Sequence, residues 1–253
     1  MSEFTIVTMD QRPDLIEEAD KLATKTGAWP EFMLHDPVGD KFFWRLYDTF
    51  PAYQIALVDW SGAIVGQANT IPVTWDGTVE GLPDEGWDAI LQLGVNNFRA
   101  GITPNCLSAI QVVVAPEYMG QGLSKQLIMA MRWLAQQYDF KHLIAPVRPN
   151  LKYAYPLTPM EHYIHWKHTD GSPFDPWLRT HTRLGGHMMK VCPRAMTITA
   201  PVAAWEGWTD MRFPESGDYI VPGALVPVTI DREADKVTYI EPNVWMLHEL
   251  NGG

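Results

Sequence analysis

The sequence predicts a mixed fold with an α+β (mixed α/β) architecture, and three observations carry that expectation. First, apolar segments of strand period and of helix period follow one another without a regular strand–helix–strand repeat. Second, one segment, Ser108 to Val114, closes on the unbroken apolar-rich run Ile110-Gln111-Val112-Val113-Val114, as expected of a strand buried on both faces. Third, from about residue 170 onward the chain turns to short strand-like segments separated by Pro- and Gly-bearing turns.

The elements can be justified in order. Phe4 to Thr8 alternates apolar and polar residues, which suits a first strand. Pro13 fits a helix start, and Leu15, Ile16, Ala19 and Leu22 recur at helical spacing until Gly27 and Pro30. Phe42, Phe43, Leu46 and Tyr47 suggest a second helix, stopped near Pro51. Tyr53 to Trp60 and Ala63 to Thr70 read as a hairpin turning at Ser61-Gly62. Residues 76 to 104 read as an irregular insertion with a short helix near Asp88 to Phe98. After Val114 comes a Gly-bearing turn. A helix follows with Leu123, Leu127, Ala130, Met131 and Leu134 on one face. His142 to Val147 is a strand closed by Arg148-Pro149-Asn150, and a helical segment covers about Met160 to Trp166. Beyond it, 185–192, 194–200, 219–229 and 236–241 read as strands. The expected organisation is a core over 1–168 and a β-rich extension over 169–253 that packs on the core.

Composition narrows the functional classes. With 253 residues the chain can bury a large core without covalent staples. Thirty acidic against 19 basic side chains give a formal charge of −11, which argues against a general nucleic-acid binder and is mildly permissive of cationic substrates. Cys106 and Cys192 are the only cysteines, so a disulfide scaffold and a cysteine zinc cluster are excluded. No apolar run reaches the roughly 20 residues of a membrane span, and the N-terminal residues lack the pattern of a signal peptide. The expectation is a cytoplasmic protein with free thiols.

Strand, Gly-rich turn and helix form an anion site, because glycines let backbone N–H groups converge and the helix start adds partial positive charge. The turn here is Ala115-Pro116-Glu117-Tyr118-Met119-Gly120-Gln121-Gly122-Leu123-Ser124. It lacks the Gly-Lys-Ser/Thr of a P-loop and the third glycine of a dinucleotide fingerprint. With the strand before it, the stretch from Val112 to Ser124 resembles the acyl-CoA signature of the GCN5-related N-acetyltransferases (GNAT). Gly122 matches the central glycine. Met119 stands where the family has Gln or Arg, and Ser124 where it has a small residue. The resemblance extends over about residues 4 to 166.

That resemblance implies a mostly antiparallel sheet in which the strands at Ser108–Val114 and His142–Val147 splay apart, with helices on both faces. It implies acetyl-CoA, or another acyl-CoA, as co-substrate, with no metal. The CoA contacts would come from Val112, Val113, Val114, Met119, Gly120, Gln121, Gly122, Leu123, Ser124 and Asn150. A backbone N–H near Val112 or Val113 would polarise the thioester carbonyl. The acceptor would be a small-molecule amine, and the family is compatible with a homodimer.

Proton-transfer groups are less regular. Many family members carry a Tyr seven residues beyond the strand-end Asn, and that position is Leu157 here. Tyr155 and His181 are the candidates in its place, with Tyr153 and Tyr163 nearby in sequence. His162, His165 and His168, spaced by three, read as polar surface rather than as ligands. The segment from Phe174 to Gly186 gathers Asp175, Arg179, His181 and Arg183. Were it extended, Arg179, His181 and Arg183 would share a face, and the arginines could pair with a substrate carboxylate. The alternative is a capped helix with surface arginines. This segment also weakly resembles GNAT-like domains that decarboxylate malonyl-CoA or load a carrier thiol. A decarboxylase or S-acyltransferase, and a non-catalytic CoA-binding protein, are the two competing readings. Toward the C-terminus Trp205, Trp208 and Trp245 accompany Glu206, Asp210 and Glu241, either as a wall for a cationic acceptor or as core anchors.

Overall fold

A computed structural model describes residues 4–250. Residues 1–3 and 251–253 of the two expected regions lie outside the described residues. Nine strands form one sheet: β1 (Thr5–Thr8), β2 (Gln54–Val58), β3 (Ile64–Val73), β4 (Cys106–Val114), β5 (His142–Val147), β6 (His187–Ala200), β7 (Gly217–Tyr219), β8 (Val228–Asp231) and β9 (Lys236–Glu249). Their order is β1-β2-β3-β4-β5-β9-β8-β7, with β6 paired to the other edge of β9. Every pairing is antiparallel except β4 with β5. The helices are α1 (Ile16–Thr26), α2 (Pro37–Phe42), α3 (Arg45–Asp48), α4 (Gly86–Arg99), α5 (Leu123–Gln137), α6 (Met160–Tyr163), α7 (Pro176–Arg183) and α8 (Val202–Thr209).

The central strands are apolar on both faces because helices cover both. Leu107, Ala109, Leu143 and Ala145 point to the α5 side, where they meet Leu127, Met131 and Leu134. Cys106, Ile110 and Ile144 point to the α4 side, where they meet Ile90, Leu91 and Val95. This is the arrangement that an unbroken apolar strand demands, since a solvated face would have forced alternation. The five apolar residues expected on one face of α5 are all buried.

Five details differ from the sequence expectation. The second helix is two short pieces, α2 and α3, and Asp36 caps the first by accepting from Val38 N and Gly39 N at 2.9 and 2.7 Å. The segments at 185–192 and 194–200 are one strand, β6, whose register slips between Cys192 and Met196. The 219–229 segment is two strands, β7 and β8, joined by a loop. Finally, β9 runs to Glu249, well past the expected end at 241, and α8 was not expected at all. The missed half of β9, Val244 to Glu249, pairs with β5, while its first half pairs with β8. The β-rich C-terminal residues therefore continue the sheet directly from β5.

Candidate functional site

Strands β4 and β5 pair in parallel only at Leu107 with Leu143 and Ser108 with Ile144. Beyond these two steps they diverge. A bulge helps: Ala109 pairs with Thr70 and Gln111 with Asn69, so Ile110 is an extra residue in β4. Trp87 from α4 locks the bulge by donating Nε1–H to the Ile110 carbonyl at 2.9 Å. Pro146, on the far side of the opening, carries no N–H to contribute. The divergence opens a groove of about 1000 Å³.

One end of the groove is the Gly-bearing turn. Gly120 and Gly122 have φ of +76° and +78°. A Cβ at either would meet nothing within 4 Å, so the requirement is for the left-handed backbone rather than for space. Gly122 begins α5, and no side chain caps that helix. Its first N–H groups therefore lack a capping partner and face the groove end where an anion would sit. Tyr118 pins the turn by donating to Asp59 Oδ2 at 3.2 Å, and Asp59 itself holds the β2–β3 hairpin through Ser61 N and Ala63 N.

The turn and the two strand ends bring together the CoA-contact residues expected from the sequence. Val112, Val113, Val114, Met119, Gly120, Gly122, Leu123, Ser124 and Asn150 all line the groove. Gln121 is exposed and lies outside that lining. Met119 is exposed, so a polar residue at this position would reach solvent as readily.

The other predicted side chains divide. His181 lines the groove wall, buried, and its Nδ1 lies 2.9 Å from His248 Nε2. Burial, then the neighbouring His248, push its pKa down to about 3, so the imidazole is neutral at physiological pH. Tyr155 lies outside the lining, with its ring among Tyr163, Trp166 and Phe174. Tyr153 stands on the groove wall instead. The Phe174–Gly186 segment takes the capped-helix form. Arg179 donates to the carbonyls of Pro173 and Phe174, and Arg183 is exposed, so neither faces the groove. Asp175 is the cap of α7: Oδ1 accepts from Trp177 N and Leu178 N, while Oδ2 accepts from Leu151 N and the Tyr163 hydroxyl. Trp205 and Trp245 are fully buried core anchors.

Of the acidic residues that line the groove, the sequence reading named only Glu241. Asp20, Asp36 and Asp40 line the groove with Trp29, Met33 and Phe43 from the α1–α3 side. Arg148, Glu241 and Asn243 line it as well, with the Arg148 guanidinium 5.9 Å from the centre of the Trp29 ring. Glu241, fully buried, accepts from Arg148 Nε at 2.9 Å and from the Tyr239 hydroxyl at 2.8 Å. Asp36 meets Asp88 of α4, and the two buried carboxyls interact. The sequence signal was present only as acidic residues scattered over three helices and a strand, and nothing in their spacing ties them together. Among the described residues, no group of three or more His, Cys, Asp or Glu is arranged to hold a metal ion.

A splayed parallel pair, a Gly turn opening a helix and a groove running through both define an acyl-transfer architecture, and the sequence comparison agrees. The family model for the acetyltransferase (GNAT) family matches residues 19–158. The chain belongs to the GNAT acetyltransferase family, and it is an acyltransferase. It is 37% identical to the arginine N-acetyltransferase avaD of Aspergillus versicolor, across 98% of this chain and 94% of that protein. Among solved structures, the loading GNATL domain of CurA from Lyngbya majuscula has a TM-score of 0.63 at 18% identity, covering 98% of each chain. The GphF GNAT-like decarboxylase in complex with isobutyryl-CoA has a TM-score of 0.59 at 15% identity, covering 98% of this chain and 100% of that one. These likenesses extend over the C-terminal strands as well as the family core. No helix among the described residues is long and apolar enough to cross a membrane.

Proposed function

We propose that the protein transfers the acetyl group of acetyl-CoA to the amino group of a small cationic amine, with arginine as the first acceptor to test. The observation that carries this reading is the lining of the groove, which combines an uncapped helix start with the carboxylates of Asp20, Asp36 and Asp40. The first suits a pyrophosphate, and the second suits a cation. The 37% identical relative is named for arginine acetylation, which agrees.

In this reading the pyrophosphate lies on the N–H groups of Gly120 to Ser124 and the pantetheine arm runs in the β4–β5 gap toward Asn150. The thioester carbonyl accepts a hydrogen bond from β4 backbone near Val112 and Val113. That bond strengthens as negative charge gathers on the oxygen. The neutral amine attacks the carbonyl carbon, the C–S bond breaks, the attacking nitrogen gives up one proton to water, and the thiolate takes one. Tyr153 and His181 both line the groove and are the candidates for that proton. His181 at a pKa of about 3 is a weak base, so Tyr153 is the stronger of the two as donor. Tyr155, in its aromatic cluster, lies outside the groove lining.

Acetyl-CoA and arginine are incubated with the protein, and free thiol and acetylarginine are followed together. Stoichiometric appearance of both supports the reading. Gly122→Asp, which sets a negative side chain at the helix start, should abolish acetyl-CoA binding by calorimetry. Carbon dioxide release from malonyl-CoA, with no transfer to any amine, would replace this reading with the decarboxylase one. Tight CoA binding without turnover of either thioester would replace it with a binding protein.

A further inference from the structure

His181 of α7 and His248 of β9 are both buried, and only the first lines the groove. His181 Nδ1 lies 2.9 Å from His248 Nε2. The surroundings are shaped for this contact. Gly186 leaves room for the second ring, since a Cβ there would meet His248 Cε1 at 2.8 Å and Nε2 at 2.9 Å. Trp177 packs edge-on against the His181 ring with centroids 4.8 Å apart. His181 reaches the groove together with Met131 of α5 and Ala145 and Val147 of β5, which pack in one cluster with Leu178 and Trp177. That is the α5 side of the groove, whereas Asp20, Asp36 and Asp40 come from the α1–α3 side.

Two neutral rings share two protons among four nitrogens, and one hydrogen bond joins them. In one arrangement His181 Nδ1–H donates to His248 Nε2, and His248 then carries its own proton on Nδ1. In the other, His248 Nε2–H donates to His181 Nδ1, and His181 carries its proton on Nε2. His248 Nδ1 decides between them, because it is sealed from solvent with no hydrogen-bond partner. The Leu184 carbonyl on that side is engaged by the Arg132 guanidinium. A proton on Nδ1 would be a buried donor without an acceptor, which folded proteins tolerate less readily than an acceptor without a donor. The second arrangement is therefore favoured. The other charged or titratable groups acting on His248, Arg132 of α5 and His187 of β6, do nothing to favour an imidazolium. His181 Nε2 has no partner among the described residues either, but it is not sealed, so its N–H is what His181 offers to the groove.

We propose that His248 is a positioning residue that locks His181 in its Nε2–H tautomer, and that His181 serves as a fixed, neutral hydrogen-bond donor to the thioester of the bound acyl-CoA. The inference rests on the acyl-transfer reading above and gives His181 a part other than moving a proton. A neutral imidazole keeps its last proton at physiological pH, so His181 lends a hydrogen bond and transfers nothing. That bond strengthens as negative charge gathers on the thioester during C–S cleavage, and a ring already held in place needs no reorganisation to make it. The proton that the thiolate takes comes from Tyr153 or from water.

The test begins with nitrogen-15 NMR of the imidazole rings, which reads each tautomer directly and needs no turnover. Both His181 and His248 should show a protonated Nε2 and a bare Nδ1, and a protonated Nδ1 on His181 overturns the inference. In His248→Gln the amide can still donate to His181 Nδ1, so the tautomer should persist. In His248→Met no donor is left, and His181 should show a mixture. An unchanged tautomer in His248→Met removes the positioning role. The kinetic arm compares His181→Gln with His181→Leu, using acetyl-CoA and arginine. A glutamine amide can stand in for the Nε2–H donor but not for a base. The Leu protein should therefore lose about tenfold or more in kcat relative to the Gln protein, with KM for acetyl-CoA little changed. Equal losses in the two overturn the donor role. If arginine is not acetylated, that sinks the acceptor reading alone. The donor role is then read from the carbonyl resonance of carbon-13-labelled acetyl-CoA, which should move on binding to the unaltered and Gln proteins and move less with the Leu protein. An equal shift in all three overturns it.

Discussion

Asp175 shows how much a single buried side chain can hold. Its carboxylate accepts four hydrogen bonds, from two N–H groups of α7, from Leu151 and from Tyr163, at 2.8 to 3.1 Å. It therefore caps one helix, fixes the loop after β5 and orients the aromatic cluster that backs the groove. Asp175→Ala should lower stability by about 2–4 kcal/mol, read as a shift of the chemical unfolding midpoint, because it leaves buried donors unpaired. Asp88 behaves in the opposite sense. Its native pKa is raised to about 8, so the folded state holds a proton that the unfolded state, near 4, has lost. Between those values the native state binds more protons, and stability falls as pH rises. Asp88→Asn removes that penalty, so its melting temperature relative to the unaltered protein should climb from pH 5 to pH 8. A gain that is the same at both pH values would show that the carboxyl is not protonated in the native state.

At the scale of elements, the turn into α5 and the α7–β9 contact make separate predictions. Gly122→Ala must hold a left-handed φ with a Cβ but introduces no charge, so it should cost about 1 kcal/mol in stability and weaken acetyl-CoA binding only modestly. The contrast with Gly122→Asp, which should lose binding altogether, separates backbone strain from electrostatic exclusion. His181 of α7 and His248 of β9 are both buried neutral, depressed to about 3 and about 4, first by burial. The unfolded chain protonates both near pH 6.5 while the native one does not. Stability should therefore fall as pH drops below about 6.5, toward the depressed native values. A His248→Gln protein should lose part of that acid sensitivity, measured as the slope of melting temperature against pH between 4 and 6.5.

At the scale of the whole molecule, β9 is the strand that unites the sheet. It pairs with β5 and β8 along one edge and with β6 along the other, and its Trp245 is fully buried with Nε1–H donated to the Pro83 carbonyl at 2.9 Å. Trp245→Ala should cost about 3–5 kcal/mol and unfold the two sides of the sheet together, as a single transition by fluorescence and by calorimetry. Two separated transitions would mean that the C-terminal strands fold as a unit of their own.

The sequence by itself determined the elements whose reason is local. The apolar run ending at Val114, the glycines at 120 and 122 and the period of α5 each require their own conformation whatever surrounds them. The glycine turn that lines the groove was legible because one continuous stretch of chain builds it. The single α2–α3 helix and the two-piece reading of β6 failed because tertiary packing decided where each segment bent and how far the β6 ladder continued past its bulge. The second half of β9 was missed because buried strands with Trp, Met and His carry no alternating pattern to read. The acidic lining of the groove was decided by tertiary structure alone. Asp20, Asp36 and Glu241 come from α1, the cap of α2 and β9, and their chemistry depends on burial and mutual distance. Neither quantity exists until the chain has folded.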